Sequence, residues 1–218
     1  MAAPLNAVLC ALAGAALWSV LGYAIARHLL PRVLAFGAAP VIGWAVFSAA
    51  ALPILNLIGF STLTVIVLAA LGVGLASIGL PRPLAASGPP TDLKWLAAAA
   101  IAAAILALAP ALALLPKYSE SGVYLAAPIF DHAKIAIIDA MTRQGLPPVN
   151  PVFAEAGATG AAGHLAYYYL WHLSAAALAL PMHVSGWEAD IGLTWFTAFA
   201  SLTLMMALAV WLSRRASA

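Results

Sequence analysis

Between Lys117 and Asp190 the sequence gathers side chains able to move protons: Glu120, Asp131, Asp139, Glu155, Glu188 and Asp190 are six of its seven acidic residues, and four of its five histidines lie there too. The first group is Pro128-Ile-Phe-Asp131-His132-Ala-Lys134, ahead of an amphipathic run from Ile135 to Gln144 that ends at Gly145. Asp131 stands where a helix would begin. One reading makes it an N-cap, stabilising by about 1 kcal/mol. The other makes it a general base beside His132. The two are compatible, because a capping carboxylate can still face a substrate. Asp139 and Arg143, four apart, can pair on the polar face of this helix. Ile135, Ile138 and Met141 form an apolar stripe suited to resting on a bilayer.

A second group is His164-Leu-Ala-Tyr167-Tyr168-Tyr169-Leu-Trp171-His172. On a helix His164, Tyr168 and His172 share one side. They read as an aromatic belt at a membrane interface or as a polar stripe facing a cleft. His164 and His172 would lie about 12 Å apart along that helix, too far to share one metal ion. Either could join Asp131 or Glu155 around a divalent metal, although no ligand spacing specifies one. Between the groups, Gly145-Leu-Pro-Pro-Val-Asn150-Pro151 reads as a rigid extended connection with a turn at Asn150. Glu155–Gly163 is Gly/Ala-rich and reads as a mobile loop. His183, Trp187, Glu188 and Asp190 read as interface anchors.

These residues need a scaffold, and composition decides its solvent. The chain is 65% hydrophobic and only 7% charged, against about a quarter charged in soluble domains. Lipid must therefore surround most of it, and a conventional soluble enzyme is excluded. Five stretches are long enough to cross: Leu5–Ala26, Ala38–Leu57, Gly59–Leu80, Trp95–Leu115 and Ile191–Leu212. None contains Lys, Arg, Asp or Glu. With no ionisable relay in the spans, an ion-coupled transporter is disfavoured. Met1–Asn6 lacks the positive residue of a signal peptide, so the first stretch reads as a retained helix. Gly14, Gly43, Gly72 and Gly74 would let helices approach closely. Cys10 is the single cysteine, which rules out an intrachain disulfide or a Cys-based zinc site.

Arg27 and Arg32, Arg82 and Lys94, and Arg214 and Arg215 fall at alternate ends of these spans. Placed in the cytoplasm, they put the N-terminus and the loop 117–190 outside, with five crossings. Segment 164–180 is short for a span and reads as a helix at, or dipping into, the outer interface; a sixth crossing there would turn Arg214 and Arg215 outward. The expected fold is all-α and polytopic: an N-terminal three-helix segment 1–80, a cytoplasmic Pro/Gly-rich linker 81–94, and a module 95–218 carrying the outer loop. No basic patch suggests nucleic acid as a partner.

The order of these motifs resembles that of the GT-C class of polytopic membrane glycosyltransferases, especially bacterial and archaeal members with a Tyr-Tyr-Tyr signature. The likeness runs over about Trp95 to Arg215. It rests on Asp131 at the start of an amphipathic helix, then Gly-Leu-Pro-Pro-Val-Asn-Pro, then Leu-Ala-Tyr-Tyr-Tyr-Leu-Trp-His. The resemblance implies a polyprenyl-phosphate sugar donor, an acceptor at the outer face, and a bacterial inner-membrane location. It makes Asp131 the catalytic base and places His132, Asn150, Tyr168 and His172 at the substrates. Three spans precede the module here, and family members carry further spans beyond Arg215, so the chain is expected to be an N-terminal portion that works with further spans or a partner subunit. The competing expectation is a non-catalytic membrane scaffold or transporter-like subunit whose outer loop binds a partner.

Overall fold

A computed structural model of the chain describes residues 2–78, 93–115, 117–124, 130–150, 163–165 and 170–213. They form helices α1 (Ala2–Leu29), α2 (Arg32–Ile58), α3 (Thr62–Ile78), α4 (Leu93–Leu106) and α5 (Leu108–Ala113). A small antiparallel hairpin follows, β1 (Lys117–Ser119) against β2 (Gly122–Tyr124), with Tyr118 opposite Val123. Helices α6 (Phe130–Gln144), α7 (Leu170–Met182) and α8 (Gly186–Ser213) complete the fold. Among the described residues, four stretches are long and apolar enough to cross a membrane: Pro4–Leu29, Arg32–Ile58, Lys94–Ala113 and Gly186–Ser213. Large apolar side chains such as Leu12, Leu57, Leu75, Ile101 and Leu212 are exposed on the helices, as lipid-facing surfaces require.

Glycine sets the closest helix approach. A Cβ on Gly22 of α1 would collide with the carbonyl oxygen of Ala39, and one on Gly43 of α2 with that of Trp18. Each glycine faces the backbone of the other helix, so no rotamer change could relieve a larger side chain. Gly37 meets Ala207 and Thr203 of α8, and Gly192 of α8 meets Cys10 and Ala11 of α1. Of the glycines expected at interfaces, Gly14 and Gly43 are there, Gly72 only grazes Leu21, and Gly74 meets nothing. Trp18 is fully buried between Phe47 and Phe196 at the centre of these three helices.

The contacts give the helices their directions. Asn6 of α1 donates to Glu188 of α8, and Phe196 packs on Trp18 farther along both, so α1 and α8 run parallel. The reversal at Leu30 and Pro31 sends α2 back antiparallel. Trp195 of α8 donates to the Ala104 carbonyl, and Trp187 to that of Leu114, which lays α4 and α5 antiparallel to α8. Asn6 and the start of α8 therefore mark one end of the bundle; Arg27, Arg32 and the start of α4 mark the other.

Helix α7 does not lie flat. Its Met182 meets Cys10, its Leu178 flanks Gly14, and its Ser174 bonds Trp44 and Ser48 midway along α2. It therefore stands along the bundle, antiparallel to α1, with residues 172–179 all buried. Thirteen residues cover about 20 Å, less than the roughly 30 Å hydrocarbon core. The dipping arrangement thus accounts for it, and the interfacial one does not. Its first turn is level with the middle of α2.

Candidate functional site

Helix α6 buries its apolar stripe in protein rather than presenting it to a bilayer. Ile138 and Met141 are fully buried and Ile137 nearly so, in the core shared with α7 and α8. The expected resting place on lipid is replaced by docking on those two helices. Asp139 explains how the docking is fixed. One carboxylate oxygen accepts the Gly186 N–H at 2.8 Å, at the start of α8, while the other faces Arg143 at 3.4 Å. The local pair was legible from spacing; the bond to α8, across 47 residues, was not. Helix α6 ends as expected at Gly145, which has φ +85° and donates to the Met141 carbonyl. It begins at Phe130, so Asp131 stands within its first turn instead of capping it from outside. His132 is exposed in the same turn.

The segment after α6 returns on itself. Val149 bridges His164 antiparallel; the Asn150 N–H donates to the Gly163 carbonyl and the Leu165 N–H to that of Pro148. Leu146–Pro147 is a cis peptide. His164 is exposed, with its Nδ1 3.2 Å from the Pro147 carbonyl. His164 does not share the expected helix with His172: it is in extended backbone bridged to Val149, whereas His172 is on α7. A period of four cannot distinguish a helix from a strand whose partner lies fifteen residues upstream. Tyr168, Glu155 and the expected mobile loop up to residue 162 lie outside the described residues. The Asn150 backbone amide, not its side chain, makes the bond to Gly163.

His172 occupies the first turn of α7 and is buried. Its neighbour Trp171 stands edge-on to it and receives the Lys134 ammonium 5.4 Å from its ring centre. That contact joins the first turns of α6 and α7. Neither the Trp171–Lys134 contact nor this burial was visible in the spacing of polar residues.

The residues expected as interface anchors are largely structural. Ser185 and Glu188 form a capping box: the Ser185 N–H and hydroxyl donate to one Glu188 oxygen, and the Glu188 N–H donates to the Ser185 hydroxyl. The other Glu188 oxygen takes the Asn6 amide at 2.8 Å. Asp190 is also inside the protein, 1% exposed. The Ser-x-x-Glu spacing was the signal for the box, and it was missed.

No family model matches the sequence, and no solved structure matches it. A protein of Sinorhizobium fredii that bears the name uncharacterized protein y4nK is 38% identical over 185 residues, or 82% of this chain. The match covers 26% of that protein, so the chain spans about a quarter of the length of the relative.

The arrangement brings Lys134, Trp171 and His172 together and sets Asp131 and His132 in the helical turn that precedes Lys134. Asn150, through Gly163, and His164, through Val149, lie in a separate antiparallel pairing beyond the other end of α6. Among the described residues no three His, Cys, Asp or Glu side chains gather as metal ligands. The residues gathered at the α6–α7 junction supply one ammonium, one buried imidazole and an indole, beside a helix turn that carries a carboxylic acid residue.

Proposed function

We propose that this chain is the N-terminal module of a membrane glycosyltransferase that moves a sugar from a polyprenyl-phosphate donor to an acceptor at the outer face of a bacterial inner membrane. The observation that carries the reading is the α6–α7 junction, where Lys134 lies over Trp171 beside buried His172. A cation one turn beyond Asp131 suits a reaction in which a carboxylate and a leaving phosphate must be served together.

In this reading the acceptor hydroxyl gives its proton to the Asp131 carboxylate as its oxygen attacks the anomeric carbon. The bond from that carbon to the phosphate oxygen breaks, and polyprenyl phosphate leaves with the electron pair. Lys134 offsets the charge on the departing phosphate. His132 and Tyr168 contact the substrates, buried His172 holds the floor of the cleft, and Asn150 keeps the following connection in register. Five crossings place the N-terminus and the segment 117–190 on the periplasmic side. The separation of Asn6 and Glu188 from Arg27 and Arg32, at opposite ends of α1, supports that orientation.

The test supplies labelled polyprenyl-phosphate sugars to membranes expressing the protein, with Asp131→Asn as the paired control. Transfer by the wild type and its loss by at least about a hundredfold in the variant are expected, in the range general acid–base catalysis contributes. Equal transfer by both would overturn the role of Asp131. Absence of transfer from correctly inserted wild type would favour a non-catalytic membrane subunit instead.

A further inference from the structure

At the end of the bundle remote from Asn6 and Glu188 lies a cavity of about 910 Å³ between α1, α2, α4 and α8. That is near the upper limit of pockets that enclose a drug-sized molecule. Helix α4 packs on α8 and α5, and the gap left between it and the α1–α2 pair is this cavity. Its wall is mainly apolar, from Phe36, Trp95 and a run of alanines on α4 including Ala99. Protein interiors pack at the density of organic crystals, so a void of this size forfeits contacts all around its lining unless something fills it.

Among the described residues the wall carries one cation, Arg27, with Tyr23 one turn before it. The Arg27 Nε donates to His28 at 3.0 Å, which fixes the guanidinium in place. Among the described residues no carboxylate pairs with it, the ion pair found there being Asp139–Arg143. Arg32 stands at the start of α2, adding a second positive charge at this end. An apolar cleft with a guanidinium on its wall complements a hydrocarbon chain bearing an anionic head.

We propose that this cleft holds a phosphate-headed membrane lipid, its chain among Phe36, Trp95 and the α4 alanines and its phosphate on Arg27. In the five-crossing orientation this is a lipid of the cytoplasmic leaflet, on the side opposite the proposed transfer chemistry. The assignment itself does not depend on that chemistry.

Native mass spectrometry of the purified protein, released from micelles containing dioleoyl phosphatidylglycerol or dioleoyl phosphatidylcholine, tests it. The wild type is expected to retain one phosphatidylglycerol with roughly tenfold preference over phosphatidylcholine. Arg27→Gln brings that preference close to parity, while Arg27→Lys keeps most of it. Ala99→Trp fills the cleft and removes retention of both lipids, with helical circular dichroism unchanged. Equal retention of the two lipids by wild type overturns the headgroup assignment. Retention that survives both Arg27→Gln and Ala99→Trp places the lipid elsewhere on the surface, and no retention by wild type overturns the proposal outright.

Discussion

Asp139 shows how unequal two contacts of one carboxylate can be. One oxygen accepts the Gly186 N–H at 2.8 Å, while the other faces Arg143 at 3.4 Å. Asp139→Ala strips an acceptor from the first N–H of α8 and should cost about 1–2 kcal/mol. Arg143→Ala removes only a 3.4 Å pair whose arginine is 75% exposed, and should cost nearly nothing. Similar losses in the two variants would mean that the ion pair, rather than the cap on α8, is what matters.

At the scale of elements, the contrast between α6 and α7 shows how far sequence could be read. The extents of α1, α2, α8 and the C-terminus of α6 were legible because each depends on local chemistry: long apolar runs, or a glycine placed to end a helix. The side of α6 that meets the protein was legible as a stripe, but its destination was not, because an apolar stripe satisfies lipid and protein equally. For helix α7 the sequence leaves two placements open, at the interface or dipping into it, for a related reason. Its polar first turn looks interfacial until Ser174 is seen bonding Trp44 and Ser48 from α2, and such distant partners leave no periodic trace. Glycines posed the same problem: Gly74 and Gly43 look alike in sequence, yet only Gly43 touches another backbone. Gly43→Val should therefore destabilise at the upper end of the 1–3 kcal/mol typical of overpacking, whereas Gly74→Val should be nearly silent. Urea unfolding of the two variants in the same detergent decides it, and comparable losses would contradict the close α1–α2 crossing.

For the whole molecule, the arrangement of ends is the feature on which every functional statement depends. Asn6 binds Glu188, and Asp139 binds Gly186, so the N-terminus and the α6 docking face share one end. Arg27, Arg32 and Trp95 are gathered at the other, about 30 Å away along α1. Positive charge is retained on the cytoplasmic side during insertion, so the proposed orientation has Arg27 inward. The orientation can be read directly in a Cys10→Ala background, which removes the one native thiol. Glu120→Cys, on the exposed hairpin turn, should react with a membrane-impermeant maleimide in intact cells. Leu29→Cys, exposed at the Arg27 end, should react only after permeabilisation. Labelling of both from outside would break the assignment of ends, while the reverse pattern would invert the molecule and put the α6–α7 junction in the cytoplasm. That second result would remove the proposed donor from reach of Asp131 on the outer face, yet leave the lipid cleft intact in the opposite leaflet.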